Sequence, residues 1–281
     1  MLELLSEMLS FSFLLRAVAV GALVALCASL LGVSLVLKRY SMIGDGLSHV
    51  GFGSLAVATA MGAAPLQVAI PVVVAAAFLL LRLSENSKIR GDAAIALISS
   101  GSIAIGVMVI SLTSGMNVDV YNYLFGSILT LSRGDVLISI VLSAVVLVLY
   151  ILFYTKIFAV TFDENFARAT GIRAGIYNML LAVLTAVTVV LGMRLMGSLL
   201  ISSLIIFPAL TSMRIFKNFR SVVISAAVTS VLCFFIGIFT SYIYDTPVGA
   251  TVVCVNILVF FIFGAVGLIM SRIRRKKYAG L

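Results

Sequence analysis

The chain has 281 residues, of which 63% are hydrophobic and 10% are charged, and its formal net charge at pH 7 is +9. Soluble domains carry about 25% charged residues, so this composition excludes a soluble enzyme and predicts a single membrane domain over residues 1–281. The excess of positive charge does not indicate a nucleic-acid partner, because no basic patch is interleaved with aromatic side chains.

Apolar segments of spanning length predict an all-α polytopic protein with eight or nine transmembrane helices. Residues 1–12 form a short amphipathic segment without the features of a signal peptide, so we expect the first span to be retained. Residues 121–132 are apolar but too short to cross, which favours a re-entrant or surface helix. The predicted spans are 13–37, 42–62, 66–83, 93–113, 135–155, 221–244, 249–270, and either two short spans or one span and a dipping segment within 177–213.

The distribution of basic residues predicts the orientation of these spans. Sixteen of the 19 Lys and Arg residues fall in the loops 38–41, 82–92, 156–176 and 214–220 and in the basic tail 271–281. Since cytoplasmic loops are enriched in Lys and Arg, we expect these loops and the C-terminus in the cytoplasm. The N-terminus then lies outside if there are nine spans, and inside if a segment such as 193–207 is re-entrant.

The second predicted span contains an acid, Asp45, and the only histidine of the chain, His49. Residues four apart lie on one face of a helix, so both side chains can reach one divalent cation. Ionisable residues within a bilayer are costly and typically functional. The alternative is an Asp–His hydrogen bond that merely joins two helices. One chain supplies only two ligands, whereas a two-fold dimer would supply four.

Several motifs resemble those of one family over about residues 30–270, namely GDGLSHVGFGSLAVA, YLFGSILTLS, FDENFARATGI and MGSLLISSLIIFPALTSMR. They are similar to the membrane permeases of bacterial metal ABC importers, which move zinc, manganese or iron(II). The resemblance implies a type II importer fold in the bacterial plasma membrane, and a homodimer with a central pathway. It also implies two ATP-binding subunits, a metal-delivering receptor outside, no permanently bound cofactor, and Asp45 and His49 as metal residues of the pathway.

The same resemblance places the contact with the ATP-binding subunit at residues 207–220, with Pro208, Ala209, Arg214, Lys217 and Arg220 as candidates. Proline can break a helix and turn the chain. The three basic residues recur every third position, which predicts one basic face of a short helix. The alternative is an ordinary cytoplasmic loop with the usual positive charge. The chain has no Gly-x-x-x-x-Gly-Lys-Ser/Thr loop, so we expect ATP to be hydrolysed by a partner.

Other polar residues are weaker candidates. Asn117, Asp119 and Tyr121 lie at the predicted outer face, where they would receive the metal or form a solvated loop. Arg133 and Arg194 would either pair with acids of a docking receptor or cap the ends of spans. The rival function is a proton-coupled secondary transporter in which Asp45 and His49 relay protons, although no inverted repeat supports it. The identity of the metal stays open, because Asp and His accept several divalent ions.

Overall fold

The computed structural model describes residues 12–86, 91–113, 126 and 133–279. These residues form helices joined by short turns, with no strand among them, as the apolar composition predicts. The helices are α1 (Ser12–Leu37), α2 (Ile43–Ala60), α3 (Pro65–Asn86), α4 (Gly91–Thr113), α5 (Arg133–Leu152), α6 (Tyr154–Phe162), α7 (Glu164–Ala169), α8 (Ala174–Met196), α9 (Ser198–Ile215), α10 (Phe219–Tyr244) and α11 (Val248–Ala279).

Eight helices of the described part are long and apolar enough to cross a membrane, which confirms the predicted fold class. Helix α2 is not among them, because its acid, its histidine and its small residues lower its hydropathy. It is nevertheless enclosed by protein, since 13 of its 18 residues are buried and it packs against α3, α4, α8 and α9. Polar groups are tolerated at membrane depth where protein rather than lipid surrounds them.

The predicted region 177–213 consists of two helices, α8 and α9, joined by Gly197 alone. Gly197 has φ +84°, a conformation that glycine adopts without strain. A Cβ on Gly192 would lie 2.4 Å from the side chain of Ile201, so the two helices fold back on each other. The structure agrees with the first of the two interpretations of this region, two spans joined by a tight turn.

Close helix packing fixes the positions of α1 and α9. A Cβ on Gly32 of α1 would lie 2.0 Å from the backbone oxygen of Ile205 on α9, and one on Gly53 of α2 would lie 2.6 Å from the backbone oxygen of Ser102 on α4. Small residues allow helix backbones to approach in membrane proteins, where packing replaces the hydrophobic driving force. These glycines therefore bring α1 close to α9 and α2 close to α4.

Of the loops that carry the predicted cytoplasmic charge, 38–41, 156–176 and 214–220 lie at one end of the bundle, which we call the basic end. Contacts across this end join Lys38 to Asn178, Tyr154 to Phe219, and the backbone of Arg214 to Gly267. The predicted loop 156–176 is largely helical, because α6 begins at Tyr154 and α7 follows it. The predicted basic tail is also helical in its described part, since α11 continues to Ala279.

At the opposite end, Arg194 Nη2 lies 3.0 Å from Asp135 Oδ2, and the two side chains are 22% and 15% exposed. The interpretation of Arg194 as a partner for receptor acids is therefore wrong, because its charge is already paired with an acid of α5. The side chain of Arg133 lies outside the described residues. Of the predicted segment 121–132, only Gly126 is described, and a Cβ there would lie 2.4 Å from the backbone of Met196.

Candidate functional site

Helix α2 begins two residues before Asp45 and places this acid in its first turn. The partial positive charge of a helix N-terminus stabilises a carboxylate there. Gly44 and Gly46 flank Asp45, and a Cβ on either would lie 2.7 Å from a neighbouring side chain, Ile205 of α9 or Ile95 of α4. The two glycines thus allow α2 to pack closely between these helices, and the side chain of Asp45 projects from α2 between the two close contacts.

The structure brings Asp45 and His49 together and adds Ser202 of α9. The distance from His49 Nε2 to Asp45 Oδ2 is 3.5 Å. Ser202 Oγ lies 3.2 Å from Asp45 Oδ1 and 3.0 Å from the backbone oxygen of Ser198, and can donate to either. A carboxylate and an imidazole on one helix face present the oxygen and nitrogen donors that Zn²⁺, Mn²⁺ and Fe²⁺ accept.

Both side chains of the pair are accessible although the rest of α2 is mostly buried. His49 is 23% exposed and Asp45 is 40% exposed. Asp45 and His49 lie on the same face of α2 as the exposed Met42. On α9, the partly exposed Ser202 lies beside them, one turn from the exposed Leu199. The pair therefore faces outward from the chain at a place where another molecule or a cation can approach it.

Within the part of the chain that the structure describes, no group of three or more His, Cys, Asp or Glu side chains is arranged to hold a metal ion. Among these residues, the pair therefore supplies two donors of these types from one chain. Tight sites usually have four protein ligands. The pair alone suits weak or transient binding.

The candidate residues Asn117, Asp119 and Tyr121 lie outside the described residues, so their predicted role at the outer mouth stays a prediction. Ser202 was not predicted. It lies 157 positions from Asp45, and one serine among several in the stretch from 198 to 203 gives no sequence signal of its own.

The predicted break at Pro208 is wrong. Helix α9 runs from Ser198 to Ile215 through Pro208, and both Pro208 and Ala209 are buried within it. Proline removes one backbone hydrogen bond, but α9 is packed against α1, α2, α10 and α11. These contacts hold the helix together across that gap. Pro208 and Ala209 are thus buried in this chain, and their role in contacting an ATP-binding subunit stays a prediction.

The predicted short basic helix is also wrong. Arg214 lies in the last turn of α9, Lys217 in the extended link 216–218, and Arg220 in the first turn of α10. The chain straightens here because Phe216 and Asn218 have ψ angles of 143° and 134°. All three basic side chains are nevertheless exposed at the basic end, so their role in contacting an ATP-binding subunit stays a prediction.

Helices α6 and α7 add an apolar surface at the basic end that the sequence did not reveal. Phe162 and Phe166 are 58% and 64% exposed. Asp163 lies between the two helices, and its side chain accepts a hydrogen bond from the backbone nitrogen of Phe166 at 2.9 Å, which caps α7. These aromatic side chains are thus exposed at the basic end, where α7 lies outside the apolar spans.

Glu164 of α7 holds this surface to the bundle. Burial opposes its ionisation, but hydrogen bonds from Asn178, Arg168 and Lys38 together hold the pKa of Glu164 below its ordinary value. The carboxylate is therefore charged at neutral pH and bound to three partners from different parts of the chain.

A family model, similar sequences and a similar solved structure agree with the family that the sequence motifs resemble. The model of the ABC 3 transport family matches residues 10–267. The manganese transport system membrane protein MntC of Halalkalibacterium halodurans is 29% identical over 276 residues, covering 97% of this chain and 94% of that protein. The high-affinity zinc uptake system membrane protein ZnuB of Haemophilus influenzae is 29% identical, with 89% of this chain and 96% of that one covered. A chain of PsaBC from Streptococcus pneumoniae in complex with Fab has a TM-score of 0.83 at 27% identity, covering 93% of this chain and 94% of that chain.

Proposed function

Because the chain belongs to the ABC 3 transport family, we propose that it is the membrane permease subunit of an ATP-driven importer for a divalent transition metal ion. The observation that carries this proposal is the pair Asp45 and His49 on the accessible face of α2, with their side chains 3.5 Å apart. The names of similar proteins, which specify manganese and zinc transport, support a metal as the substrate.

The pathway in this proposal lies between two copies of the chain. Two Asp45 carboxylates and two His49 imidazoles would then supply four donors from one helix of each copy, enough for a tetrahedral or distorted octahedral ion. A site shared between copies binds when they approach and releases when they separate. This property suits a substrate that must leave again, and it makes alternating access the expected mechanism.

The proposed docking surface for the ATP-binding subunits is the part of the basic end formed by α6, α7 and the link between α9 and α10. It contains the exposed Phe162 and Phe166 of α6 and α7 and the exposed basic side chains Arg214, Lys217 and Arg220. An exposed aromatic patch bordered by charge is typical of protein interfaces. The positive-inside rule supports a cytoplasmic position for this end, where ATP is available, and the opposite end would then face the receptor.

The experiment is metal uptake into liposomes that contain the chain with its ATP-binding subunit and receptor, measured separately for Zn²⁺, Mn²⁺ and Fe²⁺. Asp45→Asn and His49→Gln keep roughly the side-chain size, but the first removes the carboxylate charge and the second removes the imidazole nitrogens. Loss of a charged hydrogen-bonding partner costs about 1.5–3 kcal/mol, and each 1.4 kcal/mol is about tenfold in binding. We therefore expect at least a tenfold loss of uptake in assembled complexes.

Asp245→Asn is the matched control. Asp245 is an exposed acid at the end of α10 with φ 49°, a conformation that asparagine also accepts. We expect metal uptake by the Asp245→Asn complex to equal that of the unmodified complex. Full uptake by assembled Asp45→Asn and His49→Gln complexes would contradict the ligand role. Uptake driven by a proton gradient without ATP would instead establish the secondary transporter and overturn the proposal.

A further inference from the structure

The ammonium group of Lys38 is buried at the basic end, directly after the last residue of α1. Only 8% of its side chain is exposed. Its Nζ lies 3.2 Å from the backbone oxygen of Val160 on α6 and 3.4 Å from Glu164 Oε2 on α7, and it donates a short hydrogen bond to Asn178 Oδ1 on α8. A buried cation is costly unless it is paired and hydrogen-bonded, and here three helices supply its acceptors.

The carboxylate of Glu164 also accepts hydrogen bonds from other residues besides Lys38. Its Oε1 accepts a hydrogen bond from Arg168 Nη2 at 2.6 Å, and its Oε2 accepts one from Asn178 Nδ2 at 3.1 Å. We call Lys38, Val160, Glu164 and Asn178 the Lys38 cluster. It ties the α6–α7 segment to the end of α1 and to the start of α8, so α7 cannot shift without moving or breaking these bonds.

The chain after Lys38 leads to the metal pair through a tight turn with little slack. Arg39 has a left-handed backbone, with φ 62°. The turn is closed by backbone hydrogen bonds from Arg39 to Val36 at 3.1 Å, from Tyr40 to Leu35 at 2.8 Å, and from Ile43, the first residue of α2, to Tyr40 at 3.0 Å. A displacement of Lys38 is therefore passed to the first turn of α2, where Asp45 lies.

We propose that Lys38 is a positioning residue that transmits movement of the α6–α7 segment to the first turn of α2, so that Asp45 and His49 move when the ATP-binding subunits close. This inference rests on the proposed function, which takes α6 and α7 as part of the docking surface. Its physical basis is an unbroken series of hydrogen-bonded contacts between the two places, rather than mere proximity. Without Lys38, ATP hydrolysis continues but no longer reaches the metal pair.

The test separates coupling from folding. Lys38→Met removes the ammonium and keeps the length of the side chain, but it leaves Glu164 with the exposed Arg168 in place of its buried cation. The double variant Lys38→Met with Glu164→Gln removes both charges of the Lys38–Glu164 pair, which avoids leaving one of these ions without the other. Arg39→Met is the matched control, because it loses the same charge one residue later at an exposed position.

The first readout is the number of metal ions taken up per ATP hydrolysed by the reconstituted complex. We expect the double variant to keep the thermal midpoint of the unmodified protein within a few degrees and to lose at least tenfold in uptake per ATP. Arg39→Met should keep the full ratio, and Lys38→Arg should restore much of it, because a guanidinium can reach the same acceptors.

The second readout uses the fact that the chain has a single histidine. With isotope-labelled histidine only in this subunit, the imidazole signal of His49 in NMR spectra reports the metal site directly. We expect this signal to shift on addition of ATP in the unmodified and Arg39→Met complexes and to stay unshifted in the double variant. A purely structural role of Lys38 would leave the ATP-dependent shift in place.

The outcomes are distinguishable. A folded double variant that keeps both the uptake ratio and the ATP-dependent His49 shift would overturn the positioning role alone. An equal loss in Arg39→Met would also overturn it, because the effect would then follow net charge rather than the Lys38 cluster. An unmodified complex without ATP-driven metal uptake would overturn the proposed function, and the positioning role with it.

Discussion

Replacing Gly32 by alanine tests the close approach of α1 and α9. The added Cβ would lie 2.0 Å from the backbone oxygen of Ile205, whereas ordinary carbon–oxygen contacts are roughly 3.3 Å long. The two helices would therefore have to separate by about 1.3 Å at this point. Overpacking of this kind costs about 1–3 kcal/mol. It outweighs the gain of about 1 kcal/mol that alanine brings to a helix interior.

The same separation has a functional consequence. Ser202 is three residues before Ile205 on α9, and a shift of α9 against α2 would alter its 3.2 Å contact with Asp45. Since a displacement of about 1 Å at a site can cost on the order of 100-fold in rate, we expect Gly32→Ala to lower metal uptake even where the protein still assembles.

The assay is thermal unfolding followed by circular dichroism, with metal uptake measured on the same preparations. Gly101→Ala is the control, because no heavy atom lies within 4 Å of a Cβ there, and it should keep or slightly raise the midpoint. For a chain of this size, each kcal/mol shifts the midpoint by about 2–4 °C. A Gly32→Ala protein as stable as Gly101→Ala and fully active would refute the reasoning about the α1–α9 contact.

Three further predictions concern the two ends of the bundle. Arg194→Met removes the cation that lies 3.0 Å from the mostly buried Asp135, so the midpoint of thermal unfolding should fall by an amount equivalent to about 3 kcal/mol, and adding Asp135→Asn should recover part of it. Because the pKa of Glu164 is lower in the folded than in the unfolded protein, the ionised carboxylate stabilises the folded state. This contribution to the free energy of unfolding is fully present above the ordinary pKa of about 4.3. It is lost as pH falls through the lower folded-state value, so Glu164→Gln should lower stability at neutral pH and flatten the fall in acid; equal acid sensitivity in both proteins would contradict this. Phe166→Ser should leave the stability of the permease unchanged but reduce copurification of the ATP-binding subunit. Tyr244→Ser, which changes an exposed aromatic residue at the opposite end, should not reduce copurification. Full copurification with the Phe166 variant would show that α7 is not part of the docking surface.

The spans were predictable because each is a long apolar run, and a run of that length has one stable conformation in lipid. The region around Gly197 was ambiguous, because a one-residue turn between two helices and a dipping segment leave the same apolar pattern. Pro208 misled the prediction, since the rule that proline ends a helix holds where nothing else supports the backbone. In a packed bundle, neighbouring helices provide that support.

The adjacency of Asp45 and His49 follows from helix geometry alone, so the sequence was sufficient for it. Ser202 was not predictable, because its contact with Asp45 depends on how α9 packs against α2. The same holds for the Lys38 cluster, whose members come from four elements. Local spacing shows which residues share a face, but only the packed structure shows which faces meet.

The hydroxyl of Ser202 has one hydrogen and two acceptors within reach, Asp45 Oδ1 at 3.2 Å and the backbone oxygen of Ser198 at 3.0 Å. A serine hydroxyl donates only once, so these bonds exclude each other. In the proposed function, a cation bound to this carboxylate would occupy its lone pairs, and the hydroxyl of Ser202 would then donate to the backbone oxygen of Ser198. The exchange would need only the rotation of a single O–H bond, and the hydroxyl would keep an acceptor in both states.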